Sequence, residues 1–281
     1  MTFSIVAFDW TTGDVGVAVA SKFPAVGAVV PWLEAGVGAV ATQSFVNARY
    51  GPDGLDLLRA GEGPTKAADL LTRADEGRAV RQLGMVDCSG GSATFTGEEC
   101  LDWAGGVCGD GFAIQGNLLA GAQVVAAMEQ AWLASVEAPF VDRLMAALLA
   151  GDRAGGDRRG RQSSSIHIKR EGAGYGGATD QLIDLRVDDH VDPVPELQRL
   201  IDIHMLLFGT TPKSEWIAID HAVAEKIRAA LHAQGTKIAA TGPWNAEVEE
   251  ALKTWVINEN IDERWSGGDQ IDPVVLQHLL G

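Results

Sequence analysis

Short runs of small and β-branched residues, separated by turns, fill the first 44 residues and most constrain the fold of this chain. These runs cover residues 3–8, 15–22, 26–30 and 37–41, the last leading into Thr42-Gln43-Ser44. Runs of this length and composition predict strands, and their small residues favour strands that are packed on both faces. The polar turn at residues 11–14, which contains a glycine, predicts that the first two runs form a β-hairpin.

Such a hairpin would bring the end of its second strand beside Thr2, the residue that follows Met1. Ser21 and Lys22 would then lie near Thr2 and are candidate catalytic residues; the alternative is that they are ordinary residues at the end of a hairpin. If Met1 is removed, Thr2 carries both a hydroxyl and an α-amine with a pKa of about 7.7 to 8.0, the combination used by terminal threonine nucleophiles. A nearby lysine would lower that pKa by like-charge repulsion. The alternative is that Met1 stays and Thr2 only begins a strand.

The chain resembles the uncharacterised Ntn-hydrolase-like family catalogued as domain of unknown function 1028, over roughly residues 1 to 208. The segments that carry the resemblance are residues 2–7, 16–22, 25–32, 36–43, 115–118, 157–163 and 184–190. The resemblance implies an α+β class protein with the four-layer αββα Ntn-hydrolase-like sandwich, a superfamily that includes proteasome β-subunits and several amidohydrolases. By analogy with that superfamily it also implies a homodimer. It implies no particular substrate.

The rest of the first predicted domain, residues 1–208, alternates helical and strand patterns. Helices are predicted in pairs within residues 51–75 and over residues 119–134 and 138–150, and singly over residues 193–208 after Asp192 as N-cap. Strands are predicted at residues 81–87, 93–97, 112–117, 163–169 and 181–187. Residues 172–177 match GxGxxG but lead into a strand rather than a helix, so a dinucleotide site is rejected.

Residues 209–281 have a different, helix-like sequence pattern, which predicts a small, mostly helical second domain. From about residue 242 this part resembles a peptidoglycan-binding-like module. The four tryptophans of residues 209–281 are Trp216, Trp244, Trp255 and Trp265. The functional interpretation is recognition of a peptide or cell-wall fragment, and the alternative is a structural or dimerisation appendage in which the tryptophans form a core.

Charge and cysteine content limit the partners and the compartment. The formal net charge of −16 argues against a nucleic-acid or anionic-membrane partner, because both need a basic surface. Neither a signal peptide nor a transmembrane stretch is recognisable, which predicts a cytoplasmic protein. The three cysteines, Cys88, Cys100 and Cys108, lack CxxC spacing, so neither a disulfide framework nor a zinc site is expected, and no cofactor is predicted.

Several polar residues are candidates for a site around Thr2. Asn117 is the candidate oxyanion donor, although it could equally cap the following helix. Thr42, Gln43 and Gln115 are candidate substrate-binding residues.

A basic island at residues 157–163 stands out in this acidic chain. Asp157, Arg159 and Arg161 could bind a substrate carboxylate, with Arg158 ranked behind them; the alternative is a solvated run of charges. Asp188 and His190 are further substrate-binding candidates. We expect them to form ion pairs with the Arg159 and Arg161 loop rather than to bind a metal.

The sequence therefore leads to three hypotheses. The first is a cofactor-free amidohydrolase that uses Thr2 on a small substrate, which could carry a carboxylate. The second is a catalytically silent scaffold that binds a metabolite or peptide. The third, a metal-dependent hydrolase centred on Asp188, Asp189 and His190, would lose activity with a chelator. The processing of Met1 separates the first two.

Overall fold

The computed structural model describes residues 2–281. It divides into two compact units, one ending at Arg199 and the other Leu200–Gly281. The predicted domain boundary at residue 208 lies at the end of the helix in which this division occurs, Pro193–Phe208. The assignment of separate roles to residues 1–208 and 209–281 stays a prediction.

Ten strands form the two sheets within residues 2–199. They are β1 Thr2–Phe8, β2 Val15–Ser21, β3 Pro31–Glu34, β4 Gly38–Ser44, β5 Arg81–Asp87, β6 Ser92–Thr96, β7 Gly105–Gly109, β8 Phe112–Asn117, β9 Ser163–Lys169 and β10 Gln181–Val187. The larger sheet has the order β10-β9-β2-β1-β8-β7 and the smaller one β3-β4-β5-β6. All neighbouring strands are antiparallel.

Helices cover the outer faces of both sheets. The helices of this part of the chain are α1 Tyr50–Arg59, α2 Pro64–Arg73, α3 Gln123–Ala134, α4 Phe140–Arg153 and the start of α5, Pro193–Phe208. α1 and α2 pack on the smaller sheet, α3 and α4 on the larger one, and β1 and β8 face β4 and β5 across the interior. The result is a mixed α and β fold built on antiparallel sheets.

The predicted β1–β2 hairpin is confirmed and forms the centre of the larger sheet. Every residue of both strands is buried, as expected for strands covered on both faces. Small residues are needed here because α4 lies close: a Cβ at Gly16 would come within 2.6 Å of Leu144 and 2.8 Å of Phe140.

The strand predicted at residues 26–30 is wrong. Val26–Ala28 form a 3-10 turn, preceded by Ala25 in the left-handed region with φ of 50°. The amide of Val26 donates to the Ser163 hydroxyl at 3.1 Å, a side-chain bond that a paired strand would not make. The neighbouring strand β3 was not predicted.

β7 was also missed, because three of its five residues are glycine and glycine predicts a turn. α3 begins at Gln123, four residues later than predicted. The remaining predicted elements of this unit, including α1, α2, β5, β9 and β10, are confirmed.

The second unit is mainly helical, as predicted. It contains α6 His221–Ala233, α7 Ala246–Asn258 and α8 Pro273–Leu280, with a two-stranded sheet of β11 Ile217–Ala218 and β12 Gln270–Ile271. Trp255 is buried in its core, and Trp244 and Trp265 pack against that core while partly exposed.

Neither a membrane-crossing segment nor a disulfide is found among the described residues. None of the helices there is long and apolar enough to span a bilayer. The thiols of Cys88, Cys100 and Cys108 are all free. Burial raises the pKa of the Cys88 thiol to about 11, so this thiol is protonated at neutral pH.

Candidate functional site

Several strand ends meet at one edge of the two packed sheets, the edge at which β1 starts. β1 starts there, and antiparallel pairing brings the last residues of β2 and β8 to the same edge. Thr2 lies opposite Ser21 on one side and opposite Asn117 on the other. The sequence predicted the first neighbour from the hairpin; the second depends on the pairing of strands more than a hundred residues apart.

The Thr2 hydroxyl is buried and hydrogen bonded. It donates to the Ser21 hydroxyl at 3.2 Å, and the exposed fractions are 4% for Thr2 and 2% for Ser21. Met1 lies outside the described residues, so its removal stays a prediction.

A chain of side-chain amides joins the two sheets behind Thr2. Gln43 on β4 donates to the Thr2 carbonyl at 3.4 Å and to Gln82 Oε1 on β5 at 2.8 Å. Asn117 Nδ2 donates to the same Gln82 oxygen at 2.8 Å. Gln115 Nε2 donates to the Ser4 hydroxyl at 2.7 Å. All of these side chains are fully buried. Gln43, predicted to bind substrate, therefore connects the two sheets in this structure. Gln115, also predicted to bind substrate, is bonded to Ser4 of its own sheet.

Gln82 belongs to this chain of amides, and the sequence analysis did not predict it. Its Nε2 donates to the carbonyl of Gly116 at 2.7 Å, to that of Gly105 at 3.3 Å and to the Thr96 hydroxyl at 2.9 Å. The signal in the sequence was a long polar residue inside an otherwise apolar strand, residues 82–86, that is buried on both faces.

Thr42 contributes to the wall of the same edge rather than facing solvent. Its hydroxyl donates to the Asn47 carbonyl at 3.1 Å, and Thr42 is 1% exposed. The loop after it is held by Asp75, which accepts hydrogen bonds from Asn47, Tyr50 and Arg81 at 2.9 to 3.0 Å. Burial raises the pKa of Asp75, but these bonds and one from a backbone amide outweigh it and hold the pKa well below its usual range.

The predicted basic island is partly neutralised by nearby carboxylates. Asp157 is 5% exposed and accepts from the Lys22 backbone amide at 2.9 Å and from the Arg159 guanidinium at 2.8 Å. Arg161 lies between Asp152 at 2.7 Å and Asp192 at 3.1 Å. Hydrogen bonding to Asp152 raises the pKa of the Arg161 guanidinium. The Lys22 ammonium donates to the Arg161 carbonyl at 3.0 Å.

A cavity of about 540 Å³ opens beside these residues, within the first unit. Its lining includes Ser21 and Asp157 together with three arginines, Arg153, Arg158 and Arg161. Within residues 2–281, the side chains of Arg153 and Arg158 make neither an ion pair nor a hydrogen bond. These two guanidinium groups are therefore available to a ligand. The sequence analysis ranked Arg158 behind the other arginines of residues 157–163 and did not predict Arg153. A basic residue in the last turn of a helix is too common to signal a site.

Asp188 and His190 do not form the predicted ion pairs with the arginine loop. Arg161 pairs with Asp192 instead, and His190 Nδ1 accepts the Asp192 backbone amide at 3.0 Å. The prediction failed because Arg161 is already paired with Asp192, further along the loop, and with Asp152 on α4. Among the residues that the structure describes, there is also no cluster of three or more metal-binding side chains. Substrate binding by Asp188 and His190 stays a prediction.

Comparison with known proteins gives a family and a fold neighbour. Residues 2–197 match the model described as "Family of unknown function (DUF1028)", and residues 210–279 match "Putative peptidoglycan binding domain". The crystal structure of a DUF1028 protein from Silicibacter pomeroyi is 33% identical, with a TM-score of 0.67; the match covers 73% of this chain and 86% of that one. None of the curated proteins matches the chain.

Proposed function

The chain belongs to the DUF1028 family, and from its site we propose that it is an Ntn-type amidohydrolase whose nucleophile is Thr2 after removal of Met1. The proposal includes the fold: two antiparallel sheets between two helical layers are what an αββα Ntn-hydrolase sandwich requires. Its substrate is a small amide that carries an anionic group.

One observation carries the proposal. The Thr2 hydroxyl is hydrogen bonded to a second hydroxyl, that of Ser21, at 3.2 Å, and Ser21 lines a cavity large enough for a small ligand. Ligand sites in proteins are concave and contain a few convergent polar groups. A buried hydroxyl at the start of a strand, beside such a cavity, is the arrangement that a terminal nucleophile needs.

The chemistry needs only groups of this chain and water. The Thr2 hydroxyl attacks the amide carbonyl carbon while its proton passes to the α-amine. The tetrahedral intermediate collapses, the carbon–nitrogen bond breaks, and the leaving amine takes that proton. Water then hydrolyses the ester on Thr2, with the α-amine as general base, and releases the acid.

The arginines of the cavity support an anionic substrate. Arg153 and Arg158 line it without an ion-pair partner among residues 2–281, whereas Arg161 already binds Asp152 and Asp192. An unpaired guanidinium can form two parallel hydrogen bonds to a carboxylate. We therefore assign anion binding to Arg158 and Arg153, and a supporting role to Arg159 and Arg161.

The test combines mass spectrometry with an activity screen. Untagged protein should lack Met1, and it should hydrolyse some members of a panel of N-acyl amino acids in preference to their neutral amides. Thr2→Ala should abolish this activity and Thr2→Ser should retain part of it. Arg158→Gln should raise KM by about tenfold, the equivalent of one charge-assisted hydrogen bond. The control Arg73→Gln, in an exposed pair on α2, should change neither KM nor kcat. Retention of Met1 in every molecule would refute the proposal.

One observation favours the second candidate, a silent scaffold that binds an anionic metabolite or peptide. Thr2 is only 4% exposed and does not itself line the cavity. The scaffold predicts ligand binding that depends on Arg158 and is unaffected by Thr2→Ala. Recognition of a peptide or cell-wall fragment by the second domain, a homodimer and a cytoplasmic location remain predictions of the sequence.

A further inference from the structure

In the chain of amides behind Thr2, the hydrogen-bond donors and acceptors can be assigned in only one consistent way. The Gly116 and Gly105 carbonyls can only accept hydrogen bonds, so the Gln82 atom that faces them must be Nε2. Its other atom, Oε1, must therefore face Gln43 and Asn117. The orientations of amide side chains are often ambiguous, but backbone carbonyls remove the ambiguity here.

The orientation of Gln82 determines the orientation of Asn117. Because Gln82 Oε1 can only accept, Asn117 must direct its nitrogen at that oxygen, where the distance is 2.8 Å. Among residues 2–281, Asn117 Oδ1 is then left without a hydrogen-bond partner, although Asn117 is fully buried. A buried acceptor of this kind requires a donor.

Thr2 lies next to Asn117 in the sheet and can supply a new donor. Asn117 is its partner across the β1–β8 ladder, so the two Cα atoms are about 4.5 to 5.5 Å apart and the two side chains share the face between the sheets. The Thr2 hydroxyl proton is already given to Ser21. Removal of Met1 would convert the Thr2 amide nitrogen into an ammonium with three protons.

We propose that Asn117 Oδ1 accepts a hydrogen bond from the Thr2 α-amine, and that Gln82 is the positioning residue that holds Asn117 in this orientation. This inference depends on the proposed function, because it needs the free amine. It gives Asn117 a role other than the predicted oxyanion donor: one of its two N–H groups donates to Gln82, and its Oδ1 orients the base.

The amine itself gives the measurement, which needs no substrate. A hydrogen bond to the charged form raises a pKa, so loss of the acceptor should lower the pKa of the Thr2 amine. We would follow the 13Cβ chemical shift of Thr2 against pH in full-length, threonine-labelled protein whose loss of Met1 is shown by intact mass. Asn117→Leu removes the acceptor and keeps the branched shape of the side chain, and Gln82→Met removes the group that orients it.

Each variant should lower the amine pKa by about one unit, a tenfold change in the protonation equilibrium, and the double variant should lower it no further. The matched control is Thr96→Val, which removes another partner of Gln82 but leaves its Oε1 in place. The other charged groups near this edge, Lys22, Arg81, Asp157, Arg158 and Arg159, are kept in every variant.

The outcomes separate the two proposals. An unchanged amine pKa in Asn117→Leu, or an equal fall in Thr96→Val, overturns the inference and leaves the nucleophile proposal standing. Met1 retained in all molecules overturns both. If Gln82→Met does not fold, hydrogen exchange in the wild-type protein provides the test. The Asn117 side-chain amide protons should exchange slowly with solvent. Fast exchange would contradict the hydrogen bond to Gln82.

Discussion

Gly84 on β5 faces Gln115 of the opposite sheet so closely that the two positions should be energetically coupled. A Cβ built at Gly84 would lie 1.9 Å from Gln115 Oε1 and 2.4 Å from its Cδ. Both figures are far below van der Waals contact. Gly84→Ala therefore requires the Gln115 side chain to move, and Gln115 is fully buried with its Nε2 bonded to Ser4.

The expected cost of Gly84→Ala can be estimated from its parts. Overpacking of a dense interior costs about 1 to 3 kcal/mol, and loss of the Gln115–Ser4 hydrogen bond about 0.5 to 1.5 kcal/mol. We expect the free energy of unfolding to fall by about 2 to 4 kcal/mol. In a Gln115→Ala background the obstructing amide is absent and the new methyl group fills part of the space, so the same change should cost about 1 kcal/mol or less.

Urea unfolding of the wild type, both single variants and the double variant, followed by circular dichroism on the full chain, measures this coupling. Gly13→Ala is a control for the loss of a glycine where a Cβ meets nothing within 4 Å, although its φ of 76° adds local strain. If the effects of Gly84→Ala and Gln115→Ala add to within about 0.5 kcal/mol, the inferred contact between the sheets is refuted.

Three further predictions concern buried charged groups. Burial lowers the pKa of His167 to about 4 from about 6.5, so the unfolded chain binds more protons between these values. Stability should then fall as pH drops from 6.5 towards 4, and urea unfolding at pH 7 and 4.5 should show that His167→Phe removes this fall. Asp75 has a lowered pKa, so its contribution is present above the unfolded value of about 3.9 and is lost in acid. Asp75→Asn should lower the thermal midpoint at pH 7 and by a smaller amount at pH 3, because the contribution is lost only as pH falls from the unfolded pKa through the lowered folded pKa; equal differences at both would contradict this. Arg264 and Asp272 form a buried pair at 2.8 Å in the second unit, so Arg264→Met should cost about 3 to 5 kcal/mol, whereas the exposed Arg199→Met should change stability little.

Much of the fold could be predicted from the sequence, because local sequence patterns determine most of its helices and strands. Alternating small and β-branched runs around a turn predicted the β1–β2 hairpin and the pairing of Thr2 with Ser21. Apolar residues at helical spacing, with Pro64 at the first position of α2, predicted α1 and α2. These signals depend on neighbours within a few residues, so they can be read without the tertiary structure.

The site was harder to predict from the sequence, because its contacts are not local in the chain. Which guanidiniums are neutralised depends on carboxylates such as Asp152 and Asp192, which the fold brings to Arg161 from a helix end and from a separate loop. The sequence therefore ranked Arg158 below Arg161, although Arg158 is the one without an ion-pair partner among residues 2–281.

By itself, the sequence determined the family, the order of most elements and the residue at which a terminal nucleophile would lie. Only the tertiary structure decided what surrounds that residue beyond its hairpin partner, Ser21. Gln82 lies 35 residues from Asn117 in the chain, and each belongs to a different sheet. Strand periodicity indicates which face a side chain occupies, but the partner across the interior is selected by the packing of one sheet on the other, and no local pattern contains that information.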